Sequence, residues 1–266
     1  MKAKLDIETG LRNGTSQLKQ YYATPPFKIA NLTEGRKEKL RLMIMSSSPG
    51  ILDGDEYSIQ IRIGQGSSLQ LETQAYQRVF QMNSGAAQCI EVNMEKDSFF
   101  SYLPHPLVPH KGSCFTAKNK LYLSGGCTLC WGEIHTSGRK LNGESFLFSK
   151  LQNLTEIYLD QKLVVRENLL LMPGMLDIHG LGQMEGFSDQ ASLIFLKNDF
   201  PIPPAIEKIN QILADYDEIE FGCTSLPING LLVRIVGNRA EQLFDCFQLL
   251  ASYLQDLAVK NFVYAK

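Results

Sequence analysis

Apolar and polar residues alternate along most of the first 200 positions. Leu40, Leu42 and Ile44 are separated by single residues, and the same alternation runs through residues 57–63. Because successive side chains of a strand point to opposite faces, this pattern predicts half-buried β-strands. The pattern predicts further short strands at residues 67–73, 90–94, 120–123, 145–148, 156–159, 163–166, 192–196 and 231–236.

Short turn sequences separate these segments. Examples are residues 48–50 (Ser-Pro-Gly), 64–66 (Gly-Gln-Gly) and 141–143 (Leu-Asn-Gly), and each combines residues that favour turns. The spacing leaves almost no room for crossover helices before residue 200, which disfavours a doubly wound parallel sheet. We therefore predict a mostly-β fold of many short strands, antiparallel or coiled, that forms one domain over residues 1–266.

Two α-helices are predicted near the C-terminus. Pro204 suits a first helical turn, and Ile206, Ile209, Leu213 and Tyr216 follow at spacings of three and four residues, which places them on one helical face. This periodicity predicts the first helix.

Asn238 marks the start of the second predicted helix. Asn238 is a favourable N-cap residue, and Glu241, three positions later, completes a capping box. The apolar stripe of this helix comprises Ala240, Leu243, Phe244, Phe247, Leu250, Ala251, Leu254 and Leu257. We expect the stripe to pack on the sheet rather than to fill the groove of a partner.

Charge and composition narrow the function classes. The formal net charge of −2 over 266 residues provides no positive field for a phosphate backbone, so we expect no nucleic-acid partner. The first ten residues lack the apolar core of a secretory signal, and no apolar run approaches the roughly 20 residues that cross a bilayer. Six cysteines without a signal predict reduced thiols. These features predict a soluble cytoplasmic protein without a membrane partner.

Enzyme signatures are missing from the sequence. It contains no G-x-x-x-x-G-K-[ST] phosphate loop, no G-x-S-x-G nucleophile elbow and no H-E-x-x-H zinc helix. These gaps lower the expectation of nucleotide hydrolysis, of acyl transfer by a hydrolase elbow and of zincin chemistry.

One constellation resembles a metal site. Cys127 and Cys130 form a C-x-x-C pair, and His135 follows five residues later, a combination of thiolates and imidazole that suits zinc, copper or nickel. However, a closed structural site needs four ligands. On a strand, the side chains of Cys127 and His135 would also lie on one face and that of Cys130 on the opposite face. The alternative interpretation is that both thiols are partly buried apolar side chains.

The segment 103–110 contains three prolines and two histidines. Proline fixes φ and removes backbone donors, so an extended surface segment is predicted. His105 and His110 are then expected to be exposed, either as ordinary loop histidines or as transient contacts for a divalent ion.

Six segments match the motifs of one protein family, in the order in which that family has them. They are residues 24–28 (TPPFK), 48–55 (SPGILDGD), 69–80 (LQLETQAYQRVF, a strand that carries a Thr-Gln pair), 102–109 (YLPHPLVP), the WGEI segment from Trp131 with Gly138-Arg139, and 229–237 (NGLLVRIVG). Together these segments resemble the UreD family of urease accessory proteins, also called UreH, and the resemblance spans roughly residues 5–258.

The resemblance implies a mostly-β fold with helically wound strands and two helices. It also implies the partners UreF, the GTPase UreG and the apo-urease subunits. In that family the protein has no known catalysis of its own. It holds UreF and UreG against urease and provides an internal passage for nickel, so that nickel is transient and no cofactor is tightly bound.

Five residues in matching motifs are candidates for the lining of such a passage. They are Asp55, Thr73, Gln74, Glu133 and Arg139. Each also has a structural alternative: Asp55 as a turn former, Thr73 and Gln74 as strand hydrogen-bonders, and Glu133 as the partner of Arg139. Cys127, Cys130 and His105 are not positions that we associate with the family as a whole.

Three hypotheses follow from the sequence. The first is the urease maturation scaffold. The second is an all-β metal- or thiol-dependent enzyme centred on Cys127, Cys130 and His135. The third is a stand-alone β-sandwich binding module with a small-ligand pocket.

Overall fold

The computed structural model describes residues 1–34 and 39–263. The first strands are β1 (Lys2–Arg12), β2 (Thr15–Ala23), β3 (Phe27–Asn31), β4 (Leu40–Ser46), β5 (Glu56–Ile63), β6 (Ser68–Gln74), β7 (Gln77–Val79), β8 (Ala86–Met94) and β9 (Phe99–Leu103). They are followed by β10 (Leu107–Pro109), β11 (Cys114–Leu123), β12 (Thr128–Thr136), the 3-10 helix η1 (Lys140–Asn142), β13 (Lys150–Leu159) and β14 (Lys162–Leu171). The last elements are β15 (Asp189–Lys197), α1 (Ile202–Ala214), β16 (Ile219–Ser225), β17 (Gly230–Gly237) and α2 (Ala240–Val263).

The strands form two sheets that face each other. In sheet A the strand order is β14-β13-β11-β8-β5-β1-β2, and in sheet B it is β16-β17-β15-β12-β9-β6-β4-β3, with β10 and β7 attached beside β12. From β4 to β13 the chain passes between the sheets after nearly every strand, and each new strand pairs in parallel with the previous strand of its own sheet. The chain therefore winds as a coil of strands, and antiparallel hairpins close its ends.

The predicted mostly-β fold with coiled strands and two late helices is confirmed. One predicted strand, at residues 145–148, is wrong. These residues lie in the connection from β12 to β13, and Phe146 adopts a φ of 53°, which is left-handed and incompatible with a regular strand. Phe148 is buried in the core although the backbone there is not a strand, so the apolar position that suggested a strand has a different cause.

Sheet B has a hydrophobic cluster on each of its faces. The first cluster lies between the sheets and includes Leu129 and Trp131 of β12, and the second lies between sheet B and the helices and includes Cys130 and Ile134. Gly132 permits the close approach of α2, because a Cβ there would lie 2.8 Å from Leu103 Cδ2 and 3.0 Å from Phe247 Cδ2. Strand alternation thus buries apolar side chains on both faces of sheet B over β12 and β15.

The two helices cover the outer face of this part of sheet B. Ile209 and Leu213 of α1 are buried as predicted, whereas Tyr216 lies beyond the helix end. The stripe of α2 packs on β12, β15 and β17, so the predicted packing of the stripe is confirmed. The predicted capping box is wrong, because the Asn238 side-chain oxygen accepts the Ser188 N–H at 3.1 Å instead of capping the helix.

Candidate functional site between the two sheets

A polar cluster lies inside the otherwise apolar space between the sheets. Glu133 projects from β12 of sheet B toward β11 and β13 of sheet A, where Asn119, Asn153 and Thr155 are buried. Asn119 and Thr155 are cross-strand partners in the parallel pair of β11 and β13. Regular strand pairing therefore holds all four side chains at fixed positions.

Glu133 accepts a hydrogen bond from each of the other three side chains. Asn119 Nδ2 donates to Glu133 Oε1 at 2.8 Å, and Thr155 Oγ1 donates to the same oxygen at 2.9 Å. Asn153 Nδ2 donates to Oε2 at 2.6 Å. Among the described residues, no ion pair involves Glu133. The carboxyl group is thus satisfied by neutral donors only.

The environment makes Glu133 hard to ionise. Burial raises the pKa of Glu133 to about 7, although the hydrogen bonds from Thr155 and Asn153 oppose that rise. A cavity of about 40 Å³ adjoins Glu133 and His135, which is room for about one water molecule. Burial lowers the pKa of His135 to about 4, so its imidazole is neutral at pH 7.

A larger, separate cavity adjoins this cluster and lies toward one edge of the sheets. Its volume is about 410 Å³, and its walls include Tyr57, Thr73 and Gln74. Both cavities are bordered by Tyr102, Gln77 and Gln88, and Gln77 Nε2 donates to Gln88 Oε1 at 2.9 Å between them. We call the two cavities and their polar lining the polar seam.

Asp55 lies next to the outer end of the polar seam and is only 2% exposed. Its Oδ2 accepts hydrogen bonds from Leu52 N–H at 2.8 Å and from Tyr57 Oη at 3.0 Å, and its Oδ1 pairs with the Met1 amine at 2.8 Å. Burial opposes ionisation, but these donors outweigh it, so the pKa of Asp55 lies below its usual value. Asp55 is therefore a carboxylate that the Tyr57 hydroxyl connects to the seam.

Of the five predicted lining residues, the structure places four along or beside the polar seam. Thr73 Oγ1 also accepts the His105 N–H at 2.9 Å, so it has the hydrogen-bonding role that was the alternative. Arg139 lies elsewhere, on the surface before η1, where its Nε donates to Glu144 Oε2 at 2.9 Å. The alternative pairing of Glu133 with Arg139 is therefore wrong, because β12 directs Glu133 inward and Arg139 follows the strand end.

The thiol pair is divided between two clusters. Cys127 packs in the cluster between the sheets, and Cys130 packs on the helix side of sheet B. Burial raises the pKa of Cys127, and it raises the pKa of Cys130 to about 12, so both remain thiols, which are poor metal ligands. Over residues 1–34 and 39–258, no three His, Cys, Asp or Glu side chains converge to hold a metal ion. The geometry gives Cys127, Cys130 and His135 no common centre.

The expected exposure of both histidines in the proline-rich segment is wrong for His110. This residue is only 5% exposed, and its ring lies 4.6 Å from that of Phe80. His105 is partly buried and stacks on Phe244 of α2 at 4.5 Å between ring centroids. Short parallel pairing of β10 with β7 and β12 draws this segment onto the sheet.

The partners of Glu133 were not identified from the sequence. Asn119 lies between buried Ala117 and Leu121, and Asn153 and Thr155 lie between buried Leu151 and Ile157. Burial of a polar residue at a core position of a strand costs free energy unless the residue is hydrogen-bonded. The core-facing positions of Asn119, Asn153 and Thr155 were therefore a sign, visible in the sequence, of a buried polar cluster. It does not reveal that the three side chains share one carboxylate on another sheet.

Replacement of Glu133 by Gln should change the pH dependence of stability. The raised pKa means that between about pH 4.5 and 7 the folded protein keeps a proton that the unfolded chain has released. The unfolding free energy of wild type relative to Glu133→Gln should therefore fall as pH rises through this window, by about 2 kcal/mol after allowance for the adjoining cavity. Urea unfolding of both proteins at pH 5 and pH 8 measures it, and parallel pH profiles would contradict the assignment.

A coiled pair of sheets with a polar seam in an otherwise apolar interior, and with helices over one face, defines a β-scaffold rather than an enzyme of a familiar fold. The model of the UreD urease accessory protein family matches residues 1–263. The chain belongs to this family, and it therefore has a role in urease maturation.

Individual relatives agree with that membership. The chain is 47% identical over 247 residues to urease accessory protein UreD of Flavobacterium johnsoniae, covering 92% of this chain and 89% of the relative. It is 36% identical to UreD of Haemophilus influenzae strain PittGG, covering 97% and 100%, and 34% identical to UreD of Actinobacillus pleuropneumoniae serotype 3, covering 96% and 98%. In the described part of the chain, neither helix has the length and apolar content that a membrane span requires.

Proposed function

We propose that this chain is a non-catalytic scaffold that acts with UreF and the GTPase UreG to deliver nickel into apo-urease. Nickel is the cargo, and the polar seam is its route through the protein. We choose UreF, UreG and apo-urease as partners because the chain belongs to the UreD family. The observation that carries the route is the series of polar side chains that lines two adjoining cavities, from Tyr57 and Thr73 through Gln77 and Gln88 to Glu133.

The chemistry of the seam suits transfer rather than storage. The atoms of the seam that could contact a cation are mostly carboxylate, amide and hydroxyl oxygens, and the neutral His135 imidazole lies beside Glu133. Such groups accept a borderline divalent ion, but three acidic, thiol or imidazole ligands do not converge within the described residues. A cation would therefore exchange weak contacts stepwise. A tight site would oppose release to urease.

Two further observations support this function in the reducing cytoplasm. All six cysteines are free, as expected for a protein that does not depend on disulfides. The buried thiols of Cys127 and Cys130 take part in core packing, which gives the thiol-enzyme hypothesis no exposed nucleophile.

The test is reconstitution with and without the chain. The protein is co-expressed with its cognate UreF, UreG and apo-urease, the complex is isolated, and urease activity is assayed after nickel and GTP are added. We expect co-purification with UreF and activation that requires this chain. Activation of equal extent without the chain, or failure to associate with UreF, would overturn the proposal.

A further inference from the structure

The pairing of β12 with its neighbours is interrupted beside Glu133. On one side, β12 pairs with β15 along its whole length. On the other side, its pairing with β9 ends where Trp131 meets Tyr102, and a strand partner returns only where His135 meets Leu107 of β10. Within the described part of the chain, the three residues of β12 between these points have no strand partner on that side. We call this interruption the β12 opening.

The sequence of the segment between β9 and β10 explains the interruption. Two of its residues are Pro104 and Pro106, and a proline has no N–H to donate to a neighbouring strand. Four residues, 103–106, also lie opposite three residues, 132–134, of β12. The segment therefore carries one extra residue, as in a β-bulge, and regular pairing is broken there.

The cavity of about 40 Å³ beside Glu133 lies in this opening. We call it the inner cavity. Trp131 and Glu133 line it from the space between the sheets, whereas Ile134, which also lines it, belongs to the hydrophobic cluster on the helix side of sheet B. Pro104 and His105 complete its wall. The inner cavity thus extends through the plane of sheet B instead of staying on one face.

The His105 ring covers the β12 opening on the helix side. It stacks on Phe244 of α2 at 4.5 Å between ring centroids, and it lies 6.2 Å from the ring of Tyr76. His105 lines the inner cavity and is also partly exposed. A single side chain therefore separates the cavity beside Glu133 from solvent.

Aromatic contacts hold the His105 ring, whereas hydrogen bonding fixes its backbone. The His105 N–H donates to Thr73 Oγ1 at 2.9 Å, and the prolines on both sides restrict the backbone further. In contrast, the ring Nδ1 has no hydrogen-bond partner among the described residues. Aromatic contacts are individually weak, and side chains change rotamer without unfolding of the chain. Rotation of this one side chain is therefore sufficient to uncover the inner cavity.

We propose that the β12 opening connects the polar seam with solvent on the helix side of sheet B, and that the His105 ring closes this connection. With the ring on Phe244, small solutes do not reach the inner cavity from that side. A cation near Glu133 is then retained in the seam, because the shortest way out is covered. Retention of nickel rests on the proposed function, whereas the closure itself does not.

The fluorescence of Trp131 tests the closure in the full-length chain without nickel. Trp131 is the one tryptophan of the sequence, it is 1% exposed, and it lines the inner cavity. Acrylamide should quench it about threefold more strongly in His105→Ala than in wild type, because loss of the ring opens a path through an otherwise close-packed interior. His105→Phe keeps a ring against Phe244 and should be quenched like wild type.

Two control variants separate a local opening from a looser fold. His179→Ala removes an exposed histidine from the loop after β14. Leu243→Ala weakens the packing of α2, because Leu243 is fully buried, but Leu243 does not line the inner cavity. Both should be quenched like wild type under conditions in which circular dichroism shows folded protein. Unchanged quenching in His105→Ala, or an equal rise in Leu243→Ala, would overturn the closure.

A chelator tests whether the closed ring retains nickel. Complexes with UreF, UreG and apo-urease are started with nickel and GTP, with or without dimethylglyoxime, a chelator whose nitrogen ligands suit nickel. The nickel loaded with chelator, divided by that loaded without it, should be about fivefold lower for His105→Ala than for wild type, since nickel that leaves the seam is captured. His179→Ala should match wild type. An equal ratio for His105→Ala and wild type would overturn the retention of nickel by His105.

These outcomes are separate from those of the nickel route. Activation that requires the chain, together with unchanged quenching in His105→Ala, rejects the closure and leaves the route standing. Stronger quenching in His105→Ala, together with activation that proceeds without the chain, supports the closure and rejects the route.

Discussion

Glu133→Gln is expected to reduce urease activation roughly 100-fold without loss of folding or of partner binding. Glutamine keeps the shape of the side chain, and its one oxygen can still accept from Asn119 and Thr155 in the place of Oε1, whereas its amide group replaces Oε2, the oxygen that accepts from Asn153. Among the described residues, Glu133 is the one carboxylate that lines the polar seam, and the substitution removes its charge. A hydrogen bond or contact to a charged group contributes about 1.5–3 kcal/mol, and loss of about 2.7 kcal/mol at a required step corresponds to roughly 100-fold.

Glu207→Gln is the matched control, because it makes the same chemical change at an exposed position of α1. Its activation should equal that of wild type. Activity is measured after nickel and GTP are added to complexes of equal composition. Full activity of Glu133→Gln would show that nickel does not depend on the seam carboxylate, and Asp55 would then be the remaining candidate.

Trp131→Ala is expected to destabilise the fold by about 4 kcal/mol, within the usual range for loss of a buried large aromatic residue. Trp131 is 1% exposed, and its ring lies 4.7 Å from that of Tyr102 and 6.4 Å from that of Phe100. Its removal leaves a cavity at the centre of sheet B beside Glu133, where strand pairing on both sides of β12 prevents collapse.

Leu249→Ala serves as the control, because Leu249 is 45% exposed on α2 and its truncation should cost less than about 0.5 kcal/mol. Urea unfolding followed by circular dichroism measures both. A cost below about 1 kcal/mol for Trp131→Ala would mean that the space between the sheets is not close-packed there.

The sequence predicts the strands best where one face is buried and the other is open. Residues 57–63 alternate in exposure as they alternate in sequence, and this period is a local property. The pairing order is different, because each strand of the coil pairs with strands two or more elements away. Periodicity contains no information about such partners, so the coiled arrangement came from the resemblance and not from the pattern.

The wrong predictions have local causes. Residues 145–148 alternate, but they lie in the connection of residues 137–149, where the Phe146 N–H donates to the Ser137 carbonyl and Phe146 adopts a left-handed conformation. Asn238 has cap chemistry, but the backbone of Ser188 takes its side-chain oxygen. In both cases a tertiary contact overrides a local preference.

The candidate site was predictable only in part. The parity of β12 correctly places Cys127 and Cys130 on different faces, which explains why they form no common centre. The same parity directs Glu133 inward, away from Arg139. Its actual partners, Asn119, Asn153 and Thr155, lie on the other sheet, and only the packing of the two sheets brings them together.

The nickel content of urease tests most directly whether nickel passes through the polar seam. Complexes that contain either wild type or Glu133→Gln, matched in composition, are started with nickel and GTP. Urease is then separated, and its nickel is counted by mass spectrometry. We expect urease from the wild-type complex to be loaded with nickel and urease from the Glu133→Gln complex to be almost free of it. Equal nickel in both samples would contradict a route through the polar seam.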